Sequence, residues 1–105
     1  MFVIEWADEA KEIYELLKVN ASQKKRYRAT KKTIKLLAVN PRYPSLQTHE
    51  FTSLKGPNRE KVFVAYAEQN TPAAYRVFWY YGTEDASGNG NPVPTITILT
   101  ITSHP

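Results

Sequence analysis

One arginine, Arg76, stands inside an otherwise uncharged segment of aromatic and β-branched residues, which reads TPAAYRVFWYYGT at 71–83. A guanidinium inside such a strand either pairs with an acid or is presented to a ligand. In the first case Glu50 and Glu68 are the candidate partners. In the second, the planar fork of donors can hold a phosphate through two parallel hydrogen bonds and stabilise charge in a transition state.

The two histidines are the other groups with the chemistry for proton transfer. His104 follows the last apolar segment, and an imidazole can act there as a general acid or base. An ordinary exposed side chain is the alternative. His49 is the weaker candidate, and its neighbour Glu50 should point to the other side of any strand. Because the chain has no cysteine and its histidines lack helical spacing, we expect no metal site. The sequence also has no phosphate-binding glycine loop, and we expect no cofactor.

Bases dominate the middle of the chain, which has nine of them and no acid from Leu16 to His49. Such an asymmetry indicates a polyanionic partner, either nucleic acid or an acidic protein, although a solvated helix face is the alternative. We expect the bases of this segment to adjoin the apolar face of a helix and to bind nucleic acid. They are Lys24, Lys25, Arg28, Lys31, Lys32 and Lys35.

Two amphipathic helices are predicted near the N-terminus, after a short edge strand at 2–5. The first begins at Asp8, where acids favour a helix start, and the second ends before Pro41. Residues 20–22 separate them. Their apolar stripes recur at intervals of three and four residues, Ala10, Ile13, Tyr14 and Leu17 in the first and Tyr27, Thr30, Ile34 and Leu37 in the second.

Beyond Pro41 the apolar period changes to two, which predicts strands. They cover 46–54, 61–68, 74–81 and 95–103, with turns at 55–58 and 70–72 and a long loop at 82–94. In the third of these strands both faces carry aromatic rings. One face is therefore either a stacking surface for bases or, in the alternative interpretation, part of a larger core or covered by a protein partner. The 105 residues suffice for one domain, 1–105. The predicted fold class is α+β, with an N-terminal helical hairpin packed on a small antiparallel sheet.

This order of parts resembles the RelE/ParE superfamily of toxins from bacterial toxin–antitoxin modules. The resemblance rests on a basic helical hairpin, the turn Ser53-Leu54-Lys55-Gly56, a strand from Lys61, the tripeptide Tyr75-Arg76-Val77 and a last strand that runs into His104. It covers essentially the whole chain through short motifs.

The RelE-like branch implies a metal-free endoribonuclease that cuts mRNA in the ribosomal A site. There the 2′-hydroxyl attacks the adjacent phosphate, and basic side chains replace a metal. Arg76 matches the arginine of the family, His104 a C-terminal histidine of the YoeB and HigB types, and Glu50 a glutamate before the turn. Lys55, Arg59 and Lys61 fall where such enzymes bind phosphate.

The ParE-like branch is the alternative, since it shares the fold, lacks the nuclease site and inhibits DNA gyrase by protein contact. An inactive homologue or a plain RNA-binding module would also fit. The resemblance implies a small acidic antitoxin as partner, with the ribosome and mRNA as targets and no membrane. The acids near the N-terminus and the absence of a long apolar run predict a cytoplasmic protein.

Overall fold

The structure, a computed structural model, describes residues 1–69, 73–84 and 92–103. Two helices and a five-stranded mixed sheet confirm the α+β class. The elements follow one another as β1 (Val3–Trp6), α1 (Asp8–Val19), α2 (Lys24–Val39), β2 (His49–Lys55), β3 (Lys61–Tyr66), β4 (Arg76–Glu84) and β5 (Val93–Thr102). The predicted turn at 70–72 and residues 85–91 of the predicted loop lie outside the described residues. The predicted loop is too long at both ends, since β4 continues to Glu84 and β5 begins at Val93.

The helices begin and end where the sequence indicates. Asp8 and Glu9 occupy the first turn of α1, where negative charge is favourable, and Lys18 the last. Asn20 ends α1, and its side-chain oxygen accepts a hydrogen bond from the backbone N–H of Ser22 at 3.0 Å, which starts a short 3-10 turn. The N–H of Asn40 donates to the carbonyl of Leu36, and α2 ends before the proline.

The strand order is β1-β5-β4-β3-β2. Strands β2 to β5 pair antiparallel, as hairpin connections require, but β1 runs parallel to β5. The prediction of a purely antiparallel sheet is therefore wrong at this edge. The reason is that β1 reaches β5 only after two helices and three strands, so no tight turn sets their relative direction.

The helices cover one surface of the sheet, called here the helix-side surface. Ala10, Ile34 and Leu37 pack there against Val77 and Trp79 of β4, together with three buried isoleucines of β5, Ile96, Ile98 and Ile101. The buried hydroxyls of α2 are satisfied within the helix, since Thr30 and Thr33 donate to backbone carbonyls one turn earlier at 2.9 and 3.0 Å. Helical periodicity predicted this face correctly.

A row of aromatic rings joins β1, α1 and α2. Tyr14 lies 4.9 Å from Trp6 and 5.2 Å from Tyr27 between ring centroids. Burial, followed by a hydrogen bond with Tyr27, raises the pKa of the Tyr14 hydroxyl above its usual range.

The opposite surface of the sheet carries a second, smaller core. Val62, Val64 and Phe78 are buried there, with Phe51, Leu54 and Leu99 packed around them. The ring of Phe51 meets that of Phe78 edge-on at 5.1 Å. Of the two interpretations of the doubly aromatic β4 strand, a larger core is therefore confirmed at Phe78, which is 0% exposed and offers no face for stacking.

Candidate nucleic-acid interface

Arg76 opens β4 on the opposite surface, next to the second core. Its neighbour Val77 belongs to the helix-side core, so strand alternation directs Arg76 the other way. In register it lies between Tyr66 of β3 and Thr102 of β5. Its guanidinium carbon is 5.1 Å from the centroid of the Tyr66 ring, a cation–π distance.

Neither acid predicted as a structural partner pairs with Arg76. Glu68 is held by Arg26, whose Nε lies 2.7 Å from Oε1. Glu50 lies 3.9 Å from the Nζ of Lys55. Over residues 1–69, 73–82 and 92–103, no carboxylate comes within 4.0 Å of the Arg76 guanidinium. The ion-pair interpretation of Arg76 is thus wrong for the side chains described, and its charge faces Tyr66 instead.

His49 joins this group, although the sequence favours His104 over it. It pairs in register with Val64 of the second core, so it shares the surface of Arg76. Its ring meets Tyr66 edge-on at 6.0 Å between centroids. His49, Tyr66 and Arg76 therefore form a row across β2, β3 and β4, called here the His–Tyr–Arg row. The alternation of side chains along β2 could not predict that His49 contacts Tyr66, because this contact depends on the register between β2 and β3.

Glu50 lies apart from this row. Its register partner is Phe63, which packs in the helix-side core, and directly paired residues of antiparallel strands point to the same side. The structure therefore does not bring Glu50 together with Arg76. Its catalytic role stays a prediction from the resemblance.

The bases predicted to bind phosphate cluster at the β2–β3 turn. Lys55 and Lys61 are direct register partners, and Arg59 lies between them in the turn; all three side chains are exposed. Gly56 closes the turn by donating its N–H to the carbonyl of Glu60 at 2.9 Å. The turn has a net positive charge, because these three bases outnumber the two neighbouring acids, Glu50 and Glu60.

The length of β3 separates this turn from Arg76. Lys61 opens the strand and Tyr66 ends it, which spans about 16 Å at the rise of a β-strand. A groove of about 580 Å³ nevertheless contains both Lys55 and Thr102, the β5 neighbour of Arg76. Its other lining residues are Ala7, Glu9, Ile13, Leu54, Leu99 and Thr100. Of the turn bases only Lys55 lines this groove, which reaches the β5 neighbour of Arg76 but is not lined by Arg76 itself.

The bases of α2 form a separate face. At about 100° per residue, Lys24, Lys25, Arg28, Lys31, Lys32 and Lys35 occupy a stripe about 120° wide, and all six are exposed. The buried residues of α2, Thr30, Thr33, Ile34 and Leu37, centre on the reverse side of the helix. The expectation that the bases adjoin the apolar face is therefore wrong for the stripe as a whole, because the burial runs opposite its centre.

Two α2 bases nonetheless reach other features. Arg26 lies out of phase with the stripe, on the sheet side, where its guanidinium carbon stands 4.1 Å from the Tyr75 ring centroid. The position of Arg26 on the helix, away from the other bases, was the feature of the sequence that could have predicted its structural role. Lys32 lines an open cavity of about 260 Å³ whose lining also includes Tyr66 and Gln69. Lys32 and Tyr66 therefore line one cavity, although the His–Tyr–Arg row lies on the surface of the sheet opposite the helices.

His104 lies outside the described residues, two positions after Thr102, so its proposed part in proton transfer stays a prediction. No helix in the described part of the chain is long and apolar enough to cross a bilayer. Comparisons of the chain with protein families, with curated proteins and with solved structures find no match.

Proposed function

We propose that this protein is a RelE-like toxin that cleaves ribosome-bound mRNA, acting as an endoribonuclease without a metal. The observation that carries the proposal is Arg76. Its guanidinium has no carboxylate partner among the described side chains and shares a surface with an aromatic ring and a histidine. Its β5 neighbour Thr102 lines a groove that also contains Lys55. A cation kept free of acids in a sheet is suited to a phosphate.

The proposed reaction is attack of the 2′-hydroxyl on the adjacent phosphate. Arg76 would hold the phosphate and stabilise the charge that develops on its oxygens. Lys55, Arg59 and Lys61 would bind neighbouring phosphates, and Lys55 lines the groove that reaches Thr102. His104 would act as general acid or base, as the resemblance implies.

The two N-terminal helices would form the helical hairpin of the superfamily and carry its second contact with RNA. The stripe on α2 has like charges three and four residues apart, which costs about 0.2–0.5 kcal/mol per pair. Three bases also occupy its first turn, against the helix dipole. A helix whose bases repel one another in this way is suited to bind a polyanion. We propose that it binds ribosomal RNA and a small acidic antitoxin.

Primer extension on cellular mRNA after induction of the protein tests the proposal. Wild-type protein should produce discrete breaks within codons and arrest growth. Arg76→Ala should abolish both while the protein accumulates in folded form, and Arg42→Ala, which removes an exposed cation from a loop, should leave both unchanged. Intact mRNA after induction of the wild type would refute the nuclease assignment.

One observation favours a second candidate, a ParE-like inhibitor of DNA gyrase. Glu50 and the turn bases are not gathered around Arg76, which suits a protein that works by contact alone. In that case induction would trigger a DNA-damage response and leave mRNA intact. A plain RNA-binding module would instead show salt-sensitive RNA affinity without toxicity.

A further inference from the structure

We propose that His49 is the general base of the cleavage reaction and that the His–Tyr–Arg row is the site for the scissile step in a ribonucleotide strand. The inference rests on the proposed endoribonuclease function. It gives a catalytic role to a residue that the resemblance to the RelE/ParE superfamily does not identify. It also requires a substrate with a 2′-hydroxyl.

The hydrogen bonding of His49 fixes which ring nitrogen is available. Its Nδ1 lies 2.9 Å from the backbone carbonyl oxygen of Gln47. Because a carbonyl oxygen only accepts, Nδ1 carries the proton in this contact, and Nε2 of the neutral ring keeps its lone pair. His49 is also exposed, so a substrate can reach Nε2. An anchored imidazole with a free lone pair is the arrangement that a general base requires.

The position of His49 relative to Arg76 suits a phosphodiester. His49 and Arg76 are separated by two strand spacings and by an offset of two residues along the strands, since His49 pairs with Val64 and Arg76 with Tyr66. This diagonal places the two residues about 12 Å apart at the backbone, with Tyr66 between them. Both side chains reach toward Tyr66, since the guanidinium lies 5.1 Å and the imidazole 6.0 Å from its ring. A ribose and its 3′-phosphate can therefore lie across the Tyr66 ring, with the 2′-hydroxyl toward His49 and the phosphate toward Arg76.

The step balances without a metal or a further reactant. The 2′-hydroxyl gives its proton to Nε2 of His49, and its oxygen forms a bond to phosphorus. The bond from phosphorus to the 5′-oxygen breaks, and that oxygen leaves with the electron pair and takes a proton from an acid or from water. The products are a 2′,3′-cyclic phosphate and a 5′-hydroxyl. Arg76 offsets the charge on the phosphoryl oxygens throughout.

The test uses purified full-length protein with mRNA-programmed ribosomes under single-turnover conditions. Wild-type protein should cleave the mRNA and leave the two product ends just named. His49→Ala should lower the cleavage rate constant by a factor of about 10² to 10⁴ while complex formation with the ribosome changes less than twofold. Thr52→Ala, an exposed substitution on the same strand, is the matched control and should cleave at the wild-type rate.

Two readouts separate chemistry from a structural role. Free imidazole should restore part of the activity of His49→Gly, which loses the whole ring at an exposed position, and it should do nothing for Arg76→Ala. An mRNA with a 2′-deoxyribose at the scissile position should resist the wild-type protein. Rescue by imidazole would not occur if His49 merely supported the fold.

The outcomes distinguish the two proposals. If the wild type cleaves and His49→Ala cleaves within twofold of it, the assignment of His49 is overturned and the nuclease function stands. The assignment is likewise overturned if His49→Ala is inactive and imidazole fails to rescue His49→Gly that is shown to be folded. If the wild type does not cleave, the proposed function fails, and the assignment fails with it.

Discussion

Arg26 and Glu68 connect the second helix to the segment that follows β3: Nε of the arginine lies 2.7 Å from Oε1 of the glutamate. The same Oε1 accepts the backbone N–H of Tyr75 at 3.0 Å, and the Arg26 guanidinium lies over the Tyr75 ring. One carboxylate thus links α2 to the residues that lead into β4. Arg76 comes directly after Tyr75, so this contact positions the start of the strand on which the candidate site depends.

Removing Arg26 should destabilise the fold. The two side chains are only 22% and 17% exposed, and Arg26→Ala leaves Glu68 half-buried without its cation. We expect the free energy of unfolding to fall by about 1–3 kcal/mol in urea denaturation. Arg28→Ala removes an exposed base from the same helix and should change it by less than about 0.5 kcal/mol. Equal effects of the two substitutions would contradict the structural role of Arg26.

Much of this arrangement was predictable from the sequence, because helical and strand periods report which residues are buried. Phases of three and four residues identified the buried faces of α1 and α2, and the period of two found the four strands that follow them. Interactions between elements were not predictable in this way. The pairing of Glu68 with Arg26 spans 42 positions, and the contact of His49 with Tyr66 depends on a register between strands. No local pattern specifies either distance.

The candidate site was predictable only in part for the same reason. Arg76 was conspicuous as an isolated charge, and its orientation away from the helices follows from its neighbour Val77 once that residue is known to be in the core. The burial of Phe78 could not be foreseen, since it requires Phe51 and Leu54 of β2 to fold over the opposite surface. The pairing of β2 with β3 also shifts register between Glu50 and Lys55, and no residue in that segment predicts the shift.

Phe78 should matter for stability rather than for binding. Its ring is fully buried against Phe51, so Phe78→Ala leaves a cavity in the second core. We expect a loss of about 3–5 kcal/mol in the free energy of unfolding. Tyr80→Ala, two positions along the same strand and half-buried, should cost clearly less. If Phe78→Ala kept full stability and lost only RNA affinity, the second core would be refuted in favour of a stacking surface.

The basic stripe of α2 should lower the free energy of unfolding and raise the affinity for RNA. The triple substitution Lys24→Gln, Arg28→Gln and Lys35→Gln removes repulsion between bases three and four residues apart, with little change in helix propensity. We expect a gain of about 1 kcal/mol in unfolding free energy at low salt. If the stripe binds RNA, the slope of log affinity against log salt should fall by about 2–3.

Lys11→Gln with Lys18→Gln is the matched control, because α1 surrounds these lysines with acids. That variant should lose a few tenths of a kcal/mol and keep the salt slope unchanged. A triple α2 variant that is less stable than the wild type, or that binds RNA with the same salt slope, would show that the stripe is an ordinary solvated face.

Arg59 allows a test of the turn bases without loss of the fold. Its φ is 66°, a left-handed conformation that costs an arginine about 1 kcal/mol and glycine almost nothing. Arg59→Gly should therefore hold or slightly raise the thermal midpoint, although the greater freedom of glycine in the unfolded chain offsets part of the gain. If the side chain contacts a phosphate, RNA affinity should fall and the salt slope should decrease by about 0.7.

Arg42→Gly removes the same charge from a loop position without a left-handed backbone, so it should lower the midpoint and leave RNA affinity intact. Unchanged RNA binding by Arg59→Gly would exclude Arg59 from the interface.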